Sequence, residues 1–355
     1  MFLLNYKMNV NDFKQQLIKT GKSKKNMEIK IKELNKNFDL TKVKSNFRYY
    51  KSNINKNNSY NAYVTIIFGG HNYIPAVLAL GHSLRISKTK NKLICIVQDK
   101  DEYEFKGLSI DLINEINNIY DLVVGVDLLK TNFNSEYFLK NKDHYKNIQY
   151  YTTKNQILGL YEFKKIIFLD SSCIVKNNID YIFDNYNLST YKYNEDYDEF
   201  LITEMGLHGN FLLIIPSIEI YNKALILINN YEKYFENEYF IYSNDEIIFF
   251  FSIYPNSNNK QQNMFSNKII DKTYKKNLVF NKNNNYEIYK NNADVYKYVI
   301  DKPFRYNNSF NNSCLDNNTL INYIEWDLVV KHLIDNNKKY KKYFKYIKTF
   351  RNVFY

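Results

Sequence analysis

A short, unbroken apolar run that ends in an acidic residue constrains the fold of this chain more than any other feature. Residues 166–169 are Ile-Ile-Phe-Leu, and Asp170 follows them directly. A run without polar alternation is typical of a strand buried on both faces of a parallel sheet. Apolar residues at helical spacing over 154–163 precede the run, and a helical start over 177–183 follows it. We therefore expect a buried strand between two helices, with Asp170 at its carboxyl end.

That position makes Asp170 a candidate binding residue. In open α/β sheets, ligands bind just beyond the carboxyl ends of the strands. Aspartate is also common after strands simply because it caps turns. Position alone leaves both interpretations open.

A second segment combines a strand, a glycine turn and a helix. Residues 62–68 form an apolar strand candidate, Gly69 and Gly70 follow, and residues 73–85 have the pattern of a helix with a nearly continuous apolar side. Backbone N–H groups at a helix start attract anions, and glycine lets the backbone approach a ligand closely. The segment is therefore suited to a nucleotide.

The other elements alternate between strands and helices along the chain. This order predicts an α/β protein with a mostly parallel central sheet and right-handed crossovers. Candidate strands cover 93–97, 122–126, 210–215 and 294–303 (a strand with a turn), and candidate helices cover 26–40, 110–119, 217–234 and 319–334.

The order and spacing of these segments closely resemble glycogenin-like family 8 glycosyltransferases over roughly residues 62–304. Thr153 and Lys154 match the T-K before the family's apolar strand, Asp170 matches the first Asp of its D-x-D motif, and residues 178–183 match N-I-D-x-L-F. Residues 302–304 (Lys-Pro-Phe) are similar to the family's K-P-W. The resemblance implies a Rossmann-like GT-A fold and retaining transfer from a UDP-sugar donor to a hydroxyl of a glycan or protein acceptor.

The resemblance also implies a set of site residues. In the family, residues at the Thr65 and Tyr73 positions hold the uracil ring, and lysines at the Lys154 and Lys302 positions lie near the nucleotide and its phosphates. The donor-sugar contacts would be His208, Asp245 and Glu246, the last in place of a family glutamine. For His208 a structural role remains open, and for Asp245 and Glu246 a helix cap is the alternative.

Two family metal ligands are replaced. Ser172 stands at the second Asp of D-x-D, and Tyr296 stands at the family's metal-binding histidine. Of three ligands for Mn²⁺ or Mg²⁺, only Asp170 remains, so we expect a weak or absent metal site. Three cases stay open: an enzyme with a weakly held metal, an enzyme that relies on lysines, and a nucleotide-sugar or glycan-binding protein without catalysis.

Composition divides the chain of 355 residues into three parts. Residues 1–58 are a Lys/Asn-rich, partly helical extension, 59–310 are the transferase-like domain, and 311–355 are an amphipathic, basic-aromatic helical region. The net charge of +12 favours anionic partners, but no nucleic-acid reader motif is present. Docking of the C-terminal region onto the body, its peripheral contact with a membrane, and a homodimer all remain open.

The cysteines and the hydropathy pattern indicate in which cellular compartment the protein is expected. The three cysteines show no C-x-x-C spacing, which predicts buried, reduced thiols. No apolar run is long enough for a membrane span, and the first four residues are too short for a signal segment. We therefore expect a cytoplasmic protein.

Overall fold

The structure is a computed structural model of the 355-residue chain. It describes eight ranges: 46–50, 60–69, 71–131, 148–185, 211–231, 278–280, 295–297 and 317–344.

A six-stranded sheet forms the centre of the described structure. Its order is β1-β4-β3-β2-β5-β7. The four middle strands are parallel, and β1 and β7 run antiparallel to their neighbours at the two edges. The strands are β1 (Arg48–Tyr50), β2 (Asn61–Ile67), β3 (Lys92–Gln98), β4 (Leu122–Val126), β5 (Lys165–Leu169) and β7 (Phe211–Ile214).

Helices and a 3-10 segment cover the two faces of this sheet. Successive strand residues point to opposite faces, so the continuous apolar runs bury side chains on both. Tyr63 and Ile67 of β2 belong to one core cluster, and Val64 and Ile66 belong to the other. The first cluster includes residues of α1 (Ile74–Ile86), α2 (Ile110–Asn117) and α5 (Asn317–Asn336). The second includes residues of the 3-10 segment Ile148–Gly159 and of α4 (Ile218–Asn229).

A smaller, three-stranded sheet has the order β6-β9-β8. In it β6 (Cys173–Val175) runs antiparallel to β9 (Val295–Lys297), and β8 (Leu278–Phe280) is parallel to β9. Because β6 begins three residues after Asp170, this sheet lies next to the carboxyl end of β5. Two short helices, α3 (Tyr181–Asn185) and α6 (Lys341–Phe344), and two 3-10 turns, His71–Tyr73 and Lys338–Tyr340, complete the described elements.

Most of the predicted elements are confirmed, and two are wrong in detail. The α/β class and the mostly parallel central sheet with flanking helices are confirmed. The helix expected at 154–163 is a 3-10 segment that begins at Ile148, and the helix expected from residue 177 begins at Tyr181. A local polar bond explains the later start: the side chain of Asn178 accepts a hydrogen bond from the N–H of Asp180, a geometry typical of turns.

The C-terminal region docks on the body, as one of the open alternatives expected. Trp326 and Val330 of α5 and Phe344 of α6 are buried in the first core cluster together with α1. Lys339 and Lys342 form ion pairs with Glu115 of α2. In the ranges that the structure describes, no helix is both long and apolar enough to cross a membrane.

Two other expectations have partial outcomes. Cys95 and Cys173 are buried free thiols, as predicted, and burial raises the pKa of Cys95. Cys314 and the helix expected at 26–40 lie outside the described residues. The domain boundaries at 58 and 310 stay predictions, although β1 attaches residues 48–50 to the central sheet.

Candidate active site

The strand order reverses between β2 and β5. From β2 the chain adds β3 and then β4 on one side, and it returns to place β5 on the other side of β2. Ligands of open α/β sheets bind at such a point of reversal, beyond the carboxyl ends of the strands. Gly69 lies just after β2 and Asp170 just after β5, so both lie at this edge. Gly69 has a φ of 74°, a left-handed conformation that glycine adopts without strain.

Asp170 is held by Ser172, two residues further along the chain. Its Oδ1 atom accepts a hydrogen bond of 2.8 Å from the N–H of Ser172, and the Ser172 hydroxyl donates a second bond to the same atom. Ser172 is only 1% exposed, whereas Asp170 is half-buried. The serine thus fixes the aspartate with a neutral donor.

This donor set does not fit a divalent cation held by several carboxylates. Mn²⁺ and Mg²⁺ prefer carboxylate and other oxygen ligands, and Oδ1 of Asp170 already accepts two hydrogen bonds. Over the described ranges, no group of three or more His, Cys, Asp or Glu side chains could hold a metal ion. The backbone of residue 296 pairs with that of Ile174, and its side chain lies outside the description.

Lys154 is brought to the same part of the sheet as Asp170. Its ammonium group lies 5.9 Å from the ring centroid of Phe168 on β5. Phe168 lies two residues before Asp170, so Lys154 lies close to the carboxyl end of β5. Lys154 is half-buried on a 3-10 segment whose other residues are mostly buried, which limits the freedom of its backbone.

Thr65 and Tyr73, the expected uracil contacts, both belong to the β2–α1 unit. Thr65 is 2% exposed, and its hydroxyl has no hydrogen-bond partner within the described part of the chain. Tyr73 ends the 3-10 turn before α1 and is half-buried against the first core cluster. Their roles in base recognition stay predictions.

The Asn178-Ile179-Asp180 motif has a structural role. Asp180 accepts hydrogen bonds from the hydroxyls of Tyr63 (2.8 Å) and Thr89 (2.5 Å) and from the N–H of Lys90 (2.9 Å). Burial opposes ionisation of Asp180, but these bonds outweigh it and hold the pKa of Asp180 below its usual range. The motif therefore ties the chain after β6 to β2 and to the loop before β3.

Gln98 is a residue at this edge that the sequence patterns missed. Its side-chain oxygen accepts a bond of 3.1 Å from the N–H of Gly69, and its amide nitrogen donates to the carbonyl oxygens of Lys100 (3.0 Å) and Phe105 (3.3 Å). Gln98 is 2% exposed. The signal was a polar residue at the end of an otherwise apolar strand.

The remaining predicted site residues lie in parts of the chain that the structure does not describe. His208, Asp245, Glu246 and Lys302 lie outside the described residues, so their placement relative to Asp170 stays a prediction.

The described chain thus has the architecture of an α/β protein whose strand order reverses between β2 and β5. Two curated relatives share part of its sequence. The chain is 30% identical over 123 residues to an uncharacterized protein of Acanthamoeba polyphaga mimivirus, and 26% identical over 112 residues to glycogenin of Neurospora crassa. These matches cover 34% and 32% of this chain, and it spans only 39% and 15% of the two relatives. No family model matches.

Two solved structures are similar over larger parts of the chain. An active-site mutant of LgtC has a TM-score of 0.41 and 12% identity, with 79% of this chain and 99% of that chain covered. The PaToxG glycosyltransferase has a TM-score of 0.27 and 14% identity, with 67% and 79% covered. At these scores the fold assignment rests on the strand order and register of the chain itself.

Proposed function

We propose that this protein is a glycosyltransferase that moves a hexosyl group from a UDP-sugar to a hydroxyl of a glycan or protein, with retention. The observation that carries the proposal is the reversal of strand order between β2 and β5, where Gly69 and Asp170 end neighbouring parallel strands. The partial sequence similarity to glycogenin supports the same class of reaction.

The chemistry requires positive charge at the diphosphate. When the glycosidic bond breaks, negative charge develops on the leaving UDP, and a positioned cation stabilises it. The ammonium group of Lys154 lies near Phe168, at the carboxyl end of β5, and is suited to contact the nucleotide. We assign the diphosphate contact to Lys302 and the donor-sugar contacts to His208, Asp245 and Glu246. No step of this proposal depends on a metal ion, because Asp170 and Ser172 do not form the donor set that one needs.

Nucleotide binding is the first test. Calorimetry should show that UDP binds more tightly than GDP or ADP, and that Tyr73→Ala weakens UDP binding by about 1–3 kcal/mol if its ring stacks on the base. Tyr161→Ala is a matched control, because Tyr161 is an exposed tyrosine just before the amino end of β5, at the opposite edge of the sheet. Equal affinity for UDP, GDP and ADP would contradict the proposed function.

A catalytically inactive nucleotide-sugar or glycan-binding protein is the second candidate. The observation that favours it is the Ser172 hydroxyl at the position where the family has a carboxylate. UDP-sugar turnover, measured with and without Mn²⁺, separates the two candidates. Measurable UDP binding without turnover of any UDP-sugar would select the binding protein.

A further inference from the structure

A tight hairpin after β3 presents an exposed aromatic ring. Glu102 and Phe105 exchange two backbone hydrogen bonds of 3.1 and 3.0 Å, so Tyr103 and Glu104 form the tip of a two-residue turn. The Tyr103 residue is 64% exposed.

Tyr103 also has a backbone conformation that a bulky residue rarely adopts. Among the described non-glycine residues, only Lys88 (φ 58°) and Tyr103 (φ 56°) have positive φ. Lys88 lies just beyond the end of α1, where a left-handed residue commonly follows a helix. Tyr103 follows no helix, and glycine or asparagine would occupy such a turn with less strain. Strained residues that the surrounding structure holds in place are concentrated at ligand sites.

Buried contacts fix this hairpin beside the glycine turn of the candidate site. Gln98 binds the N–H of Gly69 with one end of its side chain and the carbonyl of Phe105 with the other. The Phe105 ring would lie 3.6 Å from a Cβ atom placed on Gly69. The hairpin therefore lies beside Gly69, on the β3 side of β2.

A cation and a second ring support Tyr103. The ammonium group of Lys130 lies 5.1 Å from the centroid of its ring, and the ring of Tyr150 lies at the same distance. The neighbouring Leu129 is bonded to Thr152 and Thr153, which immediately precede Lys154. Contacts through Lys130 and the residues before Lys154 thus connect Tyr103 to Lys154 along the same edge of the sheet.

The strand order places the hairpin and the Asp170 side of the site on opposite sides of β2. Asp170 and Lys154 lie on the β5 side of β2, whereas the hairpin lies on the β3 side. A nucleotide that spans β2 with its diphosphate toward Asp170 would place its base on the side of Tyr103. We infer that Tyr103 contacts the nucleoside base of the donor and is a specificity-determining residue. This inference rests on the proposed function.

The test compares a ligand that has a base with one that lacks it. We expect Tyr103→Ala and Tyr103→Gly to weaken UDP binding about 5- to 100-fold, the loss typical of one base–aromatic contact. The affinity for inorganic pyrophosphate, which has no base, should stay unchanged. Because glycine relieves the strained backbone, the Tm of Tyr103→Gly should be unchanged or higher. Tyr161→Ala should change none of these values.

The outcomes distinguish this inference from the function on which it rests. Unchanged UDP affinity in both Tyr103 variants would overturn the inference and leave the nucleotide site in place. Equal weakening of UDP and pyrophosphate would also overturn it, because the ring would then only support the edge. Failure of the unmodified protein to bind UDP would overturn the proposed function itself.

Discussion

At the scale of single residues, Arg48 organises the outer edge of the candidate site. Its guanidinium group donates to both carboxylate oxygens of Asp99, with 2.6 Å between Nε and Oδ2, and to Asp127 at 2.7 Å. Burial raises the pKa of Asp99, but the bonds from Arg48 and Tyr50 outweigh it and hold this pKa below its usual range. The side chain of Asp99 is 1% exposed, so its ionised form is stable only because these partners bind it.

We expect Arg48→Met to lower the free energy of unfolding by about 2–4 kcal/mol, because it leaves the Asp99 carboxylate buried without its cation. Urea unfolding at pH 7 measures the change. Lys106→Met is the matched control, since the Lys106–Asp101 ion pair is exposed and should contribute nothing measurable. Equal effects of the two variants would show that the Arg48 pair is no more than a surface contact.

The lowered pKa of Asp180 makes the stability of the protein depend on pH in the acid range. Because its folded pKa is lowered, its contribution is complete above the unfolded pKa of about 4 and is lost as pH falls through the folded value. Urea unfolding between pH 6 and pH 2 should therefore show stability falling toward low pH. Asp180→Asn should be less stable at pH 6, by about 1–3 kcal/mol, and its stability should depend less on pH. A variant with an unchanged pH profile would contradict this role.

At the scale of elements, the sequence predicted those with a clear hydropathy pattern. The apolar runs at 93–97 and 122–126 became β3 and β4 because strands buried on both faces need no polar alternation. The patterns missed β1, whose three residues are too few to show any period. They also missed the hairpin at 102–105, which depends on the buried side chain of Gln98 rather than on local turn residues. Short elements fixed by distant partners leave little signal in one sequence.

Because β1 precedes the composition boundary at residue 58, two truncations should differ. Removal of residues 1–45 retains β1, and we expect the Tm to change little. Removal of 1–58 takes away Arg48, exposes the edge of β4 and also takes Phe47 away from Tyr221. We expect this shorter protein to melt at a lower temperature and to aggregate more readily. Equal Tm values for the two truncations would show that β1 contributes little to the sheet.

At the scale of the whole molecule, the site divides into a predictable and an unpredictable part. The strand end at Asp170 followed from a local apolar run, and its link to Ser172 is local as well. Gln98, Arg48 and Tyr103 act through partners that are distant in sequence or through backbone geometry, which no period or motif shows. Sequence therefore predicted which strands end at this edge better than which side chains lie there.

The C-terminal helices should unfold together with the body of the protein. Trp326 of α5 is 1% exposed, lies 5.7 Å from Phe344 of α6 and belongs to the same core cluster as α1. Removal of a large, fully buried ring typically costs about 3–5 kcal/mol, so Trp326→Ala should lower the Tm of the entire transition. Leu328→Ala is a matched control on the same helix, because Leu328 is 51% exposed and its loss should change the Tm little. Scanning calorimetry measures both variants. A separate low-temperature transition in the Trp326 variant, with the main transition unchanged, would instead show that α5 and α6 form an independent appendage on the sheet domain.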